Sequence, residues 1–232
     1  MSTLWIPRSF LLSCVLLPAL GLCGLALADE HRVTFEVFGG GAVNAPSDLV
    51  VSQDGQPDID ETVTFRTKPF EQPLYWAVRL GLEDRAGAWE LQLVHDKLYL
   101  DGPPAGIDRF EITHGFNLVT LGRAFFLGRG LSVRASAGAA VTHSESTVRG
   151  ESMGGGGSLS EYELGGPAFL VSAGWRLPVG RCLFLTVEGA LSVARVRVSV
   201  AHGHATFWNA AAHGLVGLGI RFGGPFERQI SH

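Results

Sequence analysis

Apolar and polar residues alternate one by one over several long stretches of this chain. The clearest stretch is 74–83, and the same pattern returns in 169–177 and 215–222. The apolar phase of the first stretch is Leu74, Trp76, Val78, Leu80 and Leu82. A period of two residues is that of a β-strand whose two faces lie in different surroundings. The pattern therefore predicts long strands rather than helices.

Eight segments carry this alternation, and the connections between them differ in length. The segments are about 33–43, 74–84, 88–100, 109–126, 131–147, 167–177, 182–200 and 205–222. Short connections at 85–87, 128–130 and 178–181 alternate with connections at about 44–73, 101–108, 148–166 and 201–204. Alternating tight turns and longer loops are typical of transmembrane barrels. We predict an all-β fold: an antiparallel eight-stranded up-and-down transmembrane β-barrel.

Composition favours a barrel in a membrane over a soluble one. Glycine accounts for 31 of 232 residues, which suits strongly curved sheets. The apolar phase is dense in large side chains and carries Trp and Phe near the strand ends, as in barrels with aromatic girdles. A soluble sandwich or a lipocalin-like barrel, with the apolar face inward, is the alternative. In the membrane reading, the tight turns face the periplasm and the longer loops face outward.

The first 28 residues have the layout of a secretory signal. Arg8 is the only charge before Asp29, a mostly apolar run extends from Phe10 to Leu27, and Ala26-Leu27-Ala28 matches a small-x-small cleavage pattern. An uncleaved membrane anchor is the alternative. We predict a signal peptide at 1–28 with cleavage near Ala28, a barrel at 29–222 and a C-terminal tail at 223–232.

Charge and cysteine content limit the classes of partner. Removing residues 1–28 removes one Arg, which leaves 17 basic residues against 22 acidic ones. A net charge near −5 argues against nucleic-acid binding. Cys182 is the only cysteine after residue 28, so no intrachain disulfide and no cysteine-based metal site can form there. We predict no cofactor and no metal.

The closing strand carries the most specific resemblance. Its alternating apolar residues, from Leu215 to the aromatic Phe222, look like the signal read by the barrel-assembly machinery. With this strand, the chain resembles the small Gram-negative outer-membrane barrels of the OmpA/OmpX-like group, which also includes lipid A-modifying enzymes. The resemblance is one of pattern. It implies an outer-membrane location, contact with outer-membrane lipids and lipopolysaccharide, and assembly by that machinery.

Charged residues recur on the polar phase of the strands. The predicted barrel-interior network is Arg79, Glu83, Glu90, Glu111, Arg123, Arg134, Arg176, Glu188 and Arg221; Glu36 shares this phase. Eight-stranded barrels have interiors filled by side chains, and buried charges must pair. The prediction is a plug of ion pairs, and the alternatives are a conducting pore or a catalytic dyad.

Two histidines form the sharpest predicted pair. If the loop 101–108 closes a regular hairpin, Leu100 faces Arg109 and His95 faces His114. Their β-carbons would then lie within about 6 Å, the range of directly opposed residues. Strict alternation places both on the lipid side, whereas a bulge in each strand would turn them inward. A proton relay, a shared metal with only two ligands, and simple stacking remain open.

Other candidates lie near the loops. His143 and Ser144 supply the residue types of a lipid A-modifying site, although neighbours on a strand point to opposite faces. Asn209 and His213 share the inward phase of the last strand. His95, His114, His143, Ser144, Asn209 and His213 are therefore the catalytic candidates of the enzyme alternative.

Three basic residues could contact lipopolysaccharide: Lys97, Arg195 and Arg197. Strict alternation along 182–200 turns both arginines outward, where they could meet lipid phosphates with Lys97. A bulge near Val193-Ala194 would keep the arginines inside, and this is the favoured interpretation. For the whole chain we predict a structural or surface-interaction barrel with a plugged interior. The alternatives are a lipid A-modifying enzyme, by acyl transfer or deacylation, and a small-solute pore.

Overall fold

The computed structural model describes residues 31–154 and 162–223. The predicted signal peptide, residues 155–161 of the predicted loop 148–166 and residues 224–232 of the predicted C-terminal tail lie outside the described residues. Twelve strands are described: β1 Arg32–Asn44, β2 Ser47–Gln53, β3 Ile59–Arg66, β4 Trp76–Glu83, β5 Gly87–Asp101, β6 Ile107–Gly128, β7 Leu131–Thr142, β8 Glu145–Val148, β9 Glu151–Met153, β10 Glu163–Pro178, β11 Leu183–Val200 and β12 Gly203–Phe222. No helix in this part of the chain is long and apolar enough to span a membrane.

Eight of the strands close into a ring. The order around it is β1, β4, β5, β6, β7, β10, β11 and β12, and β12 pairs with β1 again through Val33↔Phe222 to Asn44↔Ala211. All of these pairings are antiparallel. Closure leaves the ring without an edge strand, so its backbone hydrogen bonds are satisfied within the barrel. The predicted eight-stranded up-and-down barrel is confirmed.

The two ends of the barrel differ. The turn end carries the short connections around 84–86, 129–130 and 179–182, and the loop end carries the others. At the loop end, β2 and β3 form a hairpin within 44–73 that pairs with β12 and with β5. The segment predicted as one strand over 131–147 breaks at His143-Ser144 into β7 and β8. The predicted loop at 201–204 is a two-residue turn, because Val200 already faces Gly203.

The outward face is an apolar belt between two groups of aromatic side chains. Exposed aliphatic residues on it include Leu80, Leu91, Leu121, Val171, Leu191 and Val216. Trp76 and Trp208 lie toward the loop end of their strands, and Trp89, Phe125 and Trp175 lie at the turn end. A belt of this kind stabilises a barrel only where lipid replaces water. The outward apolar phase agrees with the prediction.

Glycines on the inward phase of β12 make room for aromatic rings inside the narrow barrel. A β-carbon on Gly217 would come within 2.4 Å of the Phe38 ring, and one on Gly219 within 2.3 Å of Phe184. No side chain larger than hydrogen fits at such distances. Part of the high glycine content thus serves interior packing.

The interior changes from charged to apolar along the barrel axis. Ion pairs fill the part toward the turn end, and a hydrophobic cluster fills the part under the β2–β3 hairpin. In that cluster the rings of Phe65, Phe110 and Phe207 lie with centroids 4.9–6.2 Å apart. Leu49, Val51 and Ile112 are fully buried around them. Side chains therefore close the interior at both levels.

Candidate functional site

Arg79 stands at the centre of the charged interior. Its guanidinium lies 2.6 Å from Glu188 and 3.6 Å from both Glu36 and Glu90. The side chains of Arg79, Glu36 and Glu188 are completely buried. A charge in such surroundings is stable only when it is paired and hydrogen-bonded. Arg79 donates hydrogen bonds to Glu188 and to Gln92 Oε1. The carboxylates of Glu36 and Glu90 add negative charge from β1 and β5.

The remaining ion pairs extend from this centre. Arg134 lies 2.9 Å from Glu90 and 3.2 Å from Glu188. Arg176 lies 2.6 Å from Glu36 and also pairs with Glu83, which Arg221 contacts at 3.1 Å. We call these eight residues the charge network: Glu36, Glu83, Glu90, Glu188, Arg79, Arg134, Arg176 and Arg221. Its four acidic and four basic members balance, so the interior holds ions without a net charge.

Aromatic rings cover two of the guanidinium groups. Arg79 Cζ lies 4.8 Å from the centroid of the Phe38 ring, and Arg176 Cζ lies 4.7 Å from that of Phe184. The rings exclude water and add cation–π attraction. Ion pairs in such a medium are stronger and less screened than on a surface. The charge network is thus a set of mostly buried ion pairs packed against aromatic rings.

Two members of the predicted network lie elsewhere. Arg123 faces outward opposite Trp89 and donates to Asp84 in the β4–β5 turn at 2.6 Å. This hydrogen bond holds the pKa of the Asp84 carboxyl below its usual range. Glu111 also faces away from the interior and pairs with Arg109 at 2.9 Å. Their placement inside was wrong, because β6 turns Phe110, Ile112 and Ala124 inward instead.

A polar layer separates the charge network from the hydrophobic cluster. His213 Nδ1 lies 2.8 Å from the Tyr75 hydroxyl, and its Nε2 lies 2.7 Å from Ser192 Oγ. Asn209 donates to Asn44 Oδ1 at 2.8 Å, and Asn44 donates to Thr67 at 3.1 Å. The structure therefore places Asn209 and His213 on the same inner face, in separate hydrogen-bonded groups.

The partners of His213 were missed in the sequence. Ser192 faces Ala211 across the β11–β12 pair, so it stands diagonal to His213 on the same inner face. Assuming a two-residue turn at 201–202 in the sequence is enough to predict this pairing of Ser192 with Ala211. Tyr75 precedes β4, and nothing local predicts its approach to β12. All three side chains are buried, and the group joins elements distant in sequence.

The predicted pairing of His95 with His114 is wrong. His95 faces Asn117, and its ring Nδ1 donates to Asn117 Oδ1 at 2.8 Å. The hairpin is already one residue away from the predicted register at Tyr99↔Glu111, and a bulge adds two more, since Asp96 faces Phe116 whereas Leu98 faces Ile112. His95 occupies the outward phase with its ring stacked on Trp76, centroids 5.0 Å apart. The side chain of His114 lies outside the described residues.

The same bulge buries Lys97. This side chain is fully buried and donates to the carbonyl oxygens of Lys68 and Glu71 at 2.9 and 2.7 Å. It therefore fastens the end of the first long connection to the barrel and does not belong to an outward cationic group. The prediction of Lys97 as a lipopolysaccharide contact is wrong for this reason.

Arg195 and Arg197 face outward. The β11–β12 register runs without interruption from Leu183↔Ile220 to Val200↔Gly203, so the bulge predicted near Val193 is absent from this strand. Burial alternates strictly along the strand, with Ala194, Val196 and Val198 buried and the arginines exposed. The favoured prediction that both arginines point inward is therefore wrong, and the alternative that they point outward is correct.

His143 and Ser144 occupy the break between β7 and β8. The His143 ring lies 5.2 Å from that of Tyr162. Ser144 Oγ donates to the carbonyl oxygen of Ser199 at 3.2 Å and lies 3.4 Å from Glu163. Both residues are buried. They are not brought together with Asn209, His213 or His95, so the six catalytic candidates do not form one site.

The described residues do not form a metal-binding site. Among them, no group of three or more His, Cys, Asp or Glu side chains is placed to hold an ion. Cys182 is a free thiol in the β10–β11 turn. What the arrangement provides chemically is a set of paired charges inside and arginines outside.

Known proteins of similar fold are barrels as well. No family model and no curated protein matches this chain. Among solved structures it is similar to Ail, the attachment invasion locus protein of Yersinia pestis, at 13% identity and a TM-score of 0.38 over 83% of this chain and 99% of Ail. Neisserial surface protein A shows 8% identity and a TM-score of 0.38 over 84% of this chain and 98% of its own. Both are eight-stranded outer-membrane barrels.

Proposed function

We propose that this protein is an outer-membrane β-barrel with a structural or surface-interaction role, whose sealed interior holds the loop-end hairpins in place. One observation supports the proposal above others: the barrel is apolar outside, and its interior holds paired charges in the part toward the turn end. A soluble barrel would have the reverse distribution. The outward apolar belt needs lipid, and the charge network needs the exclusion of water that a closed barrel gives.

The height of the belt fits a bilayer. Along β11 the outward residues Leu185, Val187, Leu191 and Val193 precede Arg195. Ten residues at a rise of about 3.3 Å, tilted by about 40°, span about 25 Å along the barrel axis. This is the height of the apolar band in outer-membrane barrels. The first outward charge on β11 thus falls at the border of the hydrocarbon region.

The lengths of the connections suggest which end of the barrel faces which side of the membrane. Short turns face the periplasm in outer-membrane barrels, so the turn end is proposed to be periplasmic and the loop end to be outside. The β2–β3 and β8–β9 hairpins would present a firm surface above the membrane. Cleavage near Ala28 and folding by the barrel-assembly machinery complete the proposal, as expected for a protein that must cross the inner membrane unfolded.

The filled interior argues against the alternative that the protein is a small-solute pore. Solutes would have to pass both the charge network and the hydrophobic cluster around Phe65 and Phe207. A bilayer experiment separates the two functions directly. The enzyme alternative has less support, because the candidate residues His95, His143 and Ser144 lie apart from His213, and the Ser192–His213 pair is buried inside the barrel.

The proposal is tested by location, closure and conductance together. We expect the mature protein, beginning at Asp29, in the outer-membrane fraction, and a faster-migrating band on gels before boiling, because a closed barrel resists detergent. In planar bilayers the purified protein should show no steady channels. A soluble periplasmic protein would refute the membrane barrel, whereas stable conductance would refute the plugged interior and support the pore.

A further inference from the structure

We propose that Arg195 and Arg197 form a binding site for the phosphate groups of a phosphorylated outer-leaflet glycolipid of the lipid A class. This inference rests on the proposed outer-membrane location. It assigns a specific lipid contact to one side of the barrel, the outward face of β11 and its neighbours β10 and β12. We call this surface the arginine patch; it comprises Arg195, Arg197, Trp208, Leu164 and Phe169.

The patch begins where the apolar belt ends. Val193 and Phe169 face each other on adjacent strands and are exposed as parts of the belt. Arg195 and Arg197 are the next outward positions on β11, about 5 and 10 Å further along the axis at the usual rise and tilt. Lipid phosphates occupy this level of a bilayer, immediately above the acyl chains. The arginines are therefore at the right height for phosphates.

Among residues 31–154 and 162–223, no carboxylate lies within 4 Å of the Arg195 or Arg197 guanidinium. Other outward arginines on strands are paired: Arg66 with Asp101, Arg109 with Glu111 and Glu145, and Arg123 with Asp84. Two guanidiniums at neighbouring outward positions of one strand repel each other, and an external anion removes that repulsion.

The neighbourhood is shaped for a lipid headgroup with its chains below. Arg195 Cζ lies 5.7 Å from the ring of Trp208, which faces it on β12 and is half exposed. This contact orients the guanidinium at the interface, where indole rings are favoured. Below, Phe169 is exposed toward the acyl chains. Guanidinium binds phosphate in a bidentate manner, which a point charge cannot reproduce.

A cleft beside Arg197 gives the headgroup room. It has a volume of about 410 Å³ and is lined by residues that include Leu164, Gly165, Arg197 and His204. Glu163 also lines it, but its carboxylate accepts hydrogen bonds from Ser199 N and Ser199 Oγ, each at 2.8 Å. Leu164 is largely exposed at the edge and offers an apolar contact. The cleft thus combines a free cation, polar groups and an apolar edge.

The test measures binding of two lipids by purified barrel in detergent micelles. The probes are bisphosphorylated lipid A and the same lipid A with both phosphates removed, and native mass spectrometry measures bound lipid. The main variant is Arg195→Gln/Arg197→Gln. Arg195→Lys/Arg197→Lys keeps the positive charge but loses the bidentate geometry of the guanidinium. Arg66→Gln is the matched control. All three change exposed side chains, so heat-modifiable migration should persist.

We expect wild type and Arg66→Gln to prefer bisphosphorylated lipid A by about tenfold or more, since charge-assisted hydrogen bonds to a phosphate are strong. The Gln variant should lose this preference, and the Lys variant should keep part of it. Moderate salt should weaken the preference. Equal binding of the two lipids by wild type, or an unchanged preference in the Gln variant, would overturn the site. If these occur in a barrel that is heat-modifiable and found in the outer membrane, the proposed function stands and only the lipid site fails.

Discussion

The Arg79 guanidinium and the Glu188 carboxylate meet at 2.6 Å in the barrel interior, both completely buried. They are 109 residues apart in sequence and come from β4 and β11, which are not neighbours in the ring. The contact crosses the lumen and ties two sides of the wall together. Pairs of this kind form only when the whole barrel closes, so they couple interior packing to closure.

Removing one partner should destabilise the barrel strongly. Glu188→Gln removes the carboxylate charge that lies 2.6 Å from Arg79 and 3.2 Å from Arg134, and it leaves Glu90 as their shared counter-charge. Breaking a buried pair in this way costs about 3–5 kcal/mol. We expect a clear fall in the urea midpoint of unfolding in micelles and earlier loss of the fast-migrating band on heating. Arg66→Gln, which breaks an exposed pair with Asp101, should cost no more than about 1 kcal/mol. Equal effects of the two variants would contradict a structural role for the charge network.

Replacing Gly219 with a larger residue should destabilise the barrel for a steric reason. A β-carbon there would overlap the Phe184 ring, which in turn covers Arg176. Gly219→Ala should therefore lower stability by about 1–3 kcal/mol, the usual cost of overpacking. Gly214 on the same strand is the matched control, because a β-carbon there meets no atom within 4 Å. The free energy of unfolding should change little in Gly214→Ala, and a larger loss there than in Gly219→Ala would refute the packing argument.

The sequence was sufficient for the barrel and its inside–outside pattern wherever strands are regular. Strict alternation holds along β11, and with it the outward positions of Arg195 and Arg197 follow from counting alone. The favoured bulge near Val193 came from expecting charges to avoid the lipid side. That expectation fails at the membrane border, where a guanidinium can reach the headgroups.

Register near the loop end could not be predicted, because irregular backbone sets it. Three residues of β6 stand between the partners of Asp96 and Leu98, and this bulge moves His95 two residues further from His114 and buries Lys97. Alternation within one strand carries no information about such an offset between strands. The hairpin β2–β3 was missed because its short strands lie within a polar stretch that looks like a loop.

His213 should contribute to stability through the hydrogen bonds of both its ring nitrogens, one to Tyr75 and one to Ser192. Tyr75→Phe removes one hydrogen bond and leaves His213 Nδ1 buried without its partner, which costs about 1–3 kcal/mol. Ser192→Ala does the same at Nε2. Because one ring joins the two bonds, the double variant should lose less than the sum of the single variants. A double-mutant cycle of unfolding free energies measures this coupling, and strict additivity would show that the two contacts act independently.

Arg149 joins the hairpin tips across the mouth of the barrel, and its loss should loosen them. It lies in the β8–β9 turn with a φ of 51°, donating to Gln53 Oε1 at 2.7 Å and to the Pro57 carbonyl oxygen at 2.6 Å. Gln53 in turn donates to the Ala201 carbonyl oxygen at 2.9 Å. Arg149 and Gln53 together therefore link three connections that are far apart in sequence.

In Arg149→Ala the β2–β3 turn should open more often. Losing hydrogen bonds from a charged donor worth about 1.4 kcal/mol or more would raise the open population about tenfold. Proteinase K added to whole cells should then cut between Gln53 and Ile59 correspondingly faster, since cleavage follows the open population when closing is fast. A protease that does not require Arg is needed, because the substitution removes a trypsin site. Arg181→Ala in the β10–β11 turn is the control and should leave the rate unchanged. Faster cleavage in both variants would indicate general destabilisation, whereas unchanged cleavage in Arg149→Ala would show that other contacts hold the mouth closed.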